Sequence, residues 1–145
     1  MVVALTVGTV LQNPDEQISE ATVREEIAFP LKQRKRSERE IDSRVEEVCE
    51  LIGIDRQLWK RDPILLSRGQ RKLVTIASVL VCDPKVVLLD EPAIGLGAKA
   101  RQQLRELIKN LKQDVILLII GLILLIWSIG DRFGWFLGLS SVLGI

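Results

Sequence analysis

The chain has 145 residues, with 20 Lys and Arg against 19 Asp and Glu and a formal net charge of +1. That length is one ordinary domain with room for a real core, and the near-balance of charge gives no whole-molecule reason to expect nucleic acid as a partner. There is no histidine, which excludes His metal ligands and His general bases, and three of the six aromatic residues lie beyond Trp127, so base-stacking platforms are poorly supplied.

Val2 to Leu11 is rich in Val, Thr and Leu and reads as a strand ending at Gln12. Met1 leads directly into it without a basic region, so no amino-terminal signal peptide is expected. Asn13-Pro14-Asp15-Glu16-Gln17 reads as a loop, since proline after asparagine favours a turn. Thr22-x-x-Glu25 is a capping-box spacing, predicting a short helix that Pro30 stops near Phe29. Lys32 to Arg39 is a charged run, most simply a solvated connection, with a phosphate-binding or membrane-surface role as the weaker reading.

Ser37-x-x-Glu40 is a second capping box. Behind it Ile41, Val45, Val48 and Ile52 share one helical stripe that Gly53 can end, which marks a packing helix. Leu58 and Trp59 begin a short turn that docks on it, and Asp62-Pro63 punctuates the chain. In Leu66-Ser67-Arg68-Gly69-Gln70, Ser67 precedes Leu73, Ile76, Ala77 and Leu80, an amphipathic spacing. Free N–H groups and the helix dipole there favour an anion, although helix physics alone is satisfied by a ligand-free serine cap. Cys49 and Cys82 sit in apolar helical patterns and read as reduced core residues of a cytosolic domain.

Lys85-Val-Val-Leu-Leu-Asp90-Glu91-Pro92 is the centre of the chain. Val86 to Leu89 has no polar member and reads as a strand buried on both faces of a parallel sheet. Open α/β sheets place ligands at the carboxyl ends of their strands. There, Asp90 can hold Mg²⁺ for a nucleotide and Glu91 can activate a water, the bland alternative being two solvated turn acids before a proline. Ala93 to Gly97 is a flexible loop, and Leu104, Leu107, Ile108 and Leu111 mark a further amphipathic helix. Gly95-x-Gly97-x-x-Ala100 fits the dinucleotide fingerprint in letters only, because Asp90 to Ile94 separate its glycines from the strand. The alternation of strand, loop, helix and strand is an α/β pattern with parallel strands.

Gln12 with Asn13-Pro14, then Leu66-Ser67-Arg68-Gly69-Gln70, then Val86 to Pro92, in that order, resemble the ATP-binding subunit of ABC transporters. The stretch around Gln12 looks most like the energy-coupling-factor type that powers uptake of vitamins and of cobalt or nickel. The resemblance covers about Val7 to Leu111. It implies a partial P-loop NTPase (ABC ATPase) fold of class α/β over residues 1–113, with a helical subdomain at about 19–82. Gln12 would be the Q-loop glutamine that reaches Mg²⁺ and water and senses the membrane partner. Ser67, Gly69 and Gln70 would belong to the signature that contacts ATP bound to the opposite subunit of a head-to-tail dimer, homomeric or heteromeric. Asp90 would be the Walker B aspartate and Glu91 the catalytic base. The implied cofactors are ATP and Mg²⁺, the implied partners a second ATP-binding subunit and a transmembrane transporter subunit, and the implied location the cytoplasmic face of the cell membrane.

Several positions depart from that pattern. The phosphate-binding loop, G-x-x-x-x-G-K-[ST], occurs nowhere in these 145 residues, as though the amino-terminal part had been removed, and without its lysine and amide cradle little holds the β- and γ-phosphates in cis. Arg68 stands where the signature has a glycine, and could crowd a phosphate or partly compensate by charge. Gly97 stands where an aspartate is usual, and the switch histidine expected near Ile120 is absent.

The carboxyl-terminal stretch is the last departure. Val115 to Gly130 is sixteen residues without a charge, then Asp131-Arg132 leads to thirteen mostly apolar residues. Sixteen residues of helix reach about 24 Å, short of a ~30 Å hydrocarbon core. Two readings fit: Val115 to about Ile120 is the next core strand, or the whole run is a membrane helix with Trp127, Phe133 and Trp135 near the interface and Lys109 and Lys112 on the cytoplasmic side. Sixteen apolar residues are too many for one strand, so residues 114–145 are expected to be a hydrophobic, membrane-associated tail. Three functions follow as expectations: an uptake-transporter ATPase subunit that is catalytically incompetent as this chain alone, a non-catalytic relative that completes a partner's ATP site, or a membrane-anchored protein with relic motifs.

Overall fold

A computed structural model describes residues 7–111 and the backbone of Ile116–Ile120. Three parallel strands form one sheet in the order β1 (Val7–Val10), β2 (Val86–Asp90), β3 (Ile116–Ile120). Val7 is in register with Val86 and Val10 with Leu89, while Val86 pairs with Ile116 and Asp90 with Ile120. Parallel neighbours need long crossovers, and four helices supply them: α1 (Val23–Gln33), α2 (Glu38–Ile52), α3 (Arg68–Leu80) and α4 (Ala98–Asn110).

The inner face of the sheet carries Val10, Val87 and Leu89, all buried. Gly8 shares this face, and a Cβ there would come within 2.3 Å of Val79 Cγ1 on α3, so this close approach of helix to strand needs a residue without a side chain. The other face of β2 is less covered. Val86 and Leu88 are only half-buried and Val7 is 53% exposed, so the strand expected to be buried on both faces alternates instead.

Three of the four helix starts have a polar cap, and α4, which follows Gly97, has none. Thr22 accepts the Glu25 N–H, and Ser37 and Ser67 form reciprocal capping boxes with Glu40 and Gln70. On α2 the predicted stripe Ile41, Val45, Val48 and Ile52 is buried, and Gly53, at φ 78°, ends the helix in the left-handed region. The charged run from Lys32 to Glu40 is exposed throughout.

Pro30 does not stop α1, which continues to Gln33. A proline inside a helix costs roughly 3 kcal/mol. Here the ladder resumes at once, with the Arg34 N–H donating to the Pro30 carbonyl at 3.3 Å, and Leu31 beyond the proline is buried. Burial of such a side chain contributes about 1.5–3 kcal/mol, enough to offset much of the penalty. The expected loop after Gln12 likewise contains a 3₁₀ turn, Pro14–Glu16, capped by Asn13.

Strand β3 takes Ile116 to Ile120 into the sheet beside β2. The apolar run therefore does not form one membrane helix from Val115 onward, and the strand reading holds for its first residues. Residues 121–145, on which the rest of the tail expectation falls, lie outside the described residues. Among the described residues no helix is long and apolar enough to cross a membrane.

Candidate functional site

β1 and β2 are parallel neighbours, so the residues that follow them emerge together at one end of the sheet. Gln12 follows β1, Asp90 closes β2, and Glu91 begins the turn after it. Gln12 Nε2 donates to Glu91 Oε2 at 2.6 Å, joining residues 79 positions apart. Glu91 has φ 43°, in the left-handed region that side chains with a Cβ rarely occupy. Such a conformation costs of order 1 kcal/mol and persists where surrounding contacts fix it; here the Gln12 amide holds the carboxylate and the buried Pro92 follows. Asp90 is half-buried beside them.

The segment bearing Gln12 is tied down from both sides. The Leu11 N–H donates to Gln17 Oε1 at 2.9 Å, and Gln17 Nε2 donates to the Thr9 carbonyl at 3.2 Å, closing the loop on its own strand. From α3, Lys72 Nζ donates to the carbonyls of Leu11 and Gln12, the latter at 3.0 Å. Arg71 pairs with Asp15 at 2.7 Å and donates to the Leu66 carbonyl at 2.7 Å. Lys72 is 2% exposed. Burial pushes its ammonium below the ordinary lysine range, the Asp90 carboxylate pulls it back up, and the Arg68 guanidinium lowers it again.

Ser67, Gly69 and Gln70 occupy a second place. The Ser67 hydroxyl accepts the Gln70 N–H at 3.3 Å, and Gln70 Oε1 accepts the Ser67 N–H at 3.0 Å. All three line a cavity of about 700 Å³ between the segment that follows α2, the start of α3 and the start of α4, together with Asp55, Gly97 and Gln103. Neither Gln12, Asp90 nor Glu91 reaches it. Gly69 is buried, and a Cβ on it would lie 2.9 Å from Ala100 Cβ, so the start of α3 touches α4 almost backbone to backbone. The Arg68 side chain lies over Gly95, its guanidinium 3.3 Å from where a Cβ would project.

The structure thus brings Gln12, Asp90 and Glu91 together and gathers Ser67, Gly69 and Gln70 separately, with α3 running between the two groups. Two buried charged residues that hold the surrounding backbone were not legible in the sequence. Lys72 carries the weak signal of a lysine one helical turn before Ile76 on an apolar stripe, and Glu26 carries none. Its buried carboxylate accepts the N–H groups of Ser19 and Glu20, each at 2.9 Å, which closes the loop into α1.

The donor set can be tested against a metal by its chemistry. Among the described residues no three His, Cys, Asp or Glu side chains cluster as a self-sufficient metal site. Mg²⁺ does not require one, because it is bound through one or two carboxylates with waters and substrate phosphates. Asp90 with the amide oxygen of Gln12 fits that pattern, with the Glu91 carboxylate next to it.

Comparison with known proteins adds identity to this geometry. The family model described as ABC transporter matches residues 3–94. An energy-coupling factor transporter ATP-binding protein EcfA2 of Acetivibrio thermocellus is 39% identical over 108 residues, 74% of this chain and 38% of that protein. Its namesake from Streptococcus agalactiae is 42% identical over 105 residues, 72% of this chain and 38% of that protein. The solved structure of cbiO1 from Clostridium perfringens, part of the ABC transporter complex cbiONQ, superposes with a TM-score of 0.71 at 34% identity, covering 79% of this chain and 46% of the other. The chain spans less than half the length of these relatives. On the family match and the fold together, the chain belongs to the ABC transporter family, as a partial ATP-binding cassette of α/β class with a helical subdomain.

Proposed function

We propose that the chain is part of the ATP-binding machinery of an energy-coupling-factor uptake transporter, and that as a separate 145-residue chain it does not hydrolyse ATP. The observation that carries this reading is the 2.6 Å contact between Gln12 and Glu91 beside Asp90 at the carboxyl ends of two parallel strands. Asp90 and the Gln12 side-chain oxygen would hold the ion. Mg²⁺, when bound with ATP, neutralises phosphate charge and orients the γ-phosphoryl group. Glu91 accepts a proton from the attacking water, and Gln12, hydrogen-bonded to that carboxylate, fixes its direction. Ser67, Gly69 and Gln70 line a separate cavity, an arrangement suited to meeting nucleotide held by a second ATP-binding subunit. Substrate choice, a vitamin or a metal ion, would belong to the transmembrane partner, which would hold the chain at the cytoplasmic face of the membrane.

The incompetence follows from what the sequence contains. None of its segments has the lysine and glycine spacing of a phosphate loop, so the triphosphate has an ion site and a base but no cradle in cis. The test uses the purified full chain in detergent, alone and mixed with an energy-coupling-factor ATP-binding subunit that has its own phosphate loop. Alone, it should show no Mg-ATP turnover that Glu91→Gln abolishes. In the mixture it should raise turnover, and Ser67→Arg should remove the increase. Glu91-dependent turnover by the chain alone would refute the incompetence, and failure to associate with the second subunit would refute the role in trans.

A further inference from the structure

The two groups of site residues are connected by one helix, and the connection has a specific chemical form. α3 begins at the Ser67 cap, and one turn further on its Lys72 side chain is buried against the other group. An ammonium taken out of water is costly unless its N–H groups are used. Lys72 uses two of them on consecutive main-chain carbonyls, those of Leu11 and Gln12. These carbonyls lie just past the end of β1, where the strand's own ladder no longer orders the chain. The side chain of the second of them, Gln12, is the donor to Glu91.

We infer that Lys72 is a positioning residue for the Gln12–Glu91 pair, clamping the Gln12 backbone to α3 so that movement of the Ser67 end of that helix is transmitted to the glutamine. Three alternatives for fixing Gln12 are weaker on the same geometry. Gln17 holds Leu11 and Thr9 but does not touch Gln12. Asn13 bonds forward, to Asp15 and Glu16. Arg71 reaches Asp15, beyond the glutamine. Among the described contacts Lys72 is the side chain from another element that grips the Gln12 main chain. Lys72 lies five residue steps along from Ser67, about 7.5 Å of axial rise, and a helical segment that short moves as a rigid piece. The lever is therefore a single turn and a half of α3, with the cap at one end and the clamp at the other.

This inference rests on the assignment of Gln12 and Glu91 proposed above, but its test needs no ATP turnover. Full-length protein labelled with ¹⁵N-glutamine in detergent gives a side-chain amide spectrum in which the Gln12 pair is identified by its loss in Gln12→Leu. Glu91→Ala should displace that pair toward the position of a solvated glutamine. Lys72→Met, which leaves both the Gln12 and the Glu91 side chains unaltered, should produce at least half of the same displacement. Lys72→Arg, which keeps a charged donor, should lie closer to the wild type, and Val45→Ala, a core destabilisation on α2, should leave the pair in place. An unmoved Gln12 pair in Lys72→Met overturns the inference. If Lys72→Met does not fold, the ¹⁵N-lysine spectrum of the unmodified protein decides: a slowly exchanging ammonium that is lost in Lys72→Arg supports the clamp, and uniformly fast exchange of all lysines refutes it. The proposed transporter role could fail in the mixing experiment while this clamp stands, and the reverse holds equally.

Discussion

Gln12 and Glu91 meet at 2.6 Å across the carboxyl ends of β1 and β2, an amide on a carboxylate in a partly exposed position. Hydrogen bonds to charged groups are stronger than neutral ones, yet water competes for both partners here. A double-mutant cycle with Gln12→Leu and Glu91→Ala, read by chemical denaturation, should give a coupling energy of about 1 kcal/mol. A coupling indistinguishable from zero would mean that the two side chains are independent in solution.

The start of α3 should respond to loss of its cap as a structural element in its own right. Ser67→Ala removes the acceptor for the Gln70 N–H, and caps of this kind are worth about 1 kcal/mol. The denaturation midpoint should fall accordingly. Ser67→Asp, which retains a capping oxygen, should fall less, so that any defect of Ser67→Asp in the mixing assay would report on nucleotide contact and not on folding.

At Gly69 the expected effect is steric. An added methyl would stand 2.9 Å from Ala100 Cβ, and overpacking of this size costs roughly 1–3 kcal/mol. Gly69→Ala should destabilise by that amount, and Ala100→Gly in the same chain should recover most of it beyond the small cost of a second glycine. Equal destabilisation with and without Ala100→Gly would place the strain elsewhere.

Lys35 offers a stabilising change. It follows α1 with φ 53° in an exposed stretch, and its N–H donates to the Lys32 carbonyl at 2.9 Å. Glycine adopts this conformation without the clash of a Cβ. Lys35→Gly should raise stability by about 0.5–1 kcal/mol in urea denaturation, whereas a decrease would show that the lysine side chain itself is used.

The cysteines should differ in reactivity. Burial pushes the Cys49 thiol up to about 11 from 9.0, with the Trp59 contact lowering it slightly. Burial also raises Cys82, while Arg34 and Arg44 lower it, and this thiol is only half-buried. Because the thiolate is the nucleophile, Cys82 should react first with a disulfide reagent at pH 8, and Cys49 only on unfolding. Intact-mass analysis of partly labelled protein, followed by peptide mapping, checks the order.

Elements with a local cause were legible in the sequence. The boxes at Ser37 and Ser67 fix helix starts by bonds within four residues, and the stripe from Ile41 to Ile52 has one period and one face. The strand before Asp90 was found for the same reason, though its second face is half-exposed, because an apolar run does not state what covers it. Pro30 was misjudged since its local penalty is opposed by burial of Leu31, a tertiary effect. The apolar run after Lys112 left a core strand and a membrane helix both open, with a membrane-associated tail expected on its length, and its first residues are taken by pairing with β2, which no local pattern discloses. Of the candidate site, the nearness of Gln12 to Asp90 and Glu91 was expected from motif order, whereas Lys72 contacts carbonyls roughly sixty residues away and has no motif.

The bare contact between Gly69 and Ala100 also limits how the two helices can travel. With no side chain on one partner and a methyl on the other, α3 and α4 touch at a point whose same-face neighbours one turn along, Leu73 on α3 and Gln103 and Leu104 on α4, are bulkier. Sliding one axis past the other would drive these larger groups into the gap, whereas rocking about the point does not. The contact is a fulcrum, and the compliant direction between the serine-headed helix and the helix after Gly97 is tilt rather than shear.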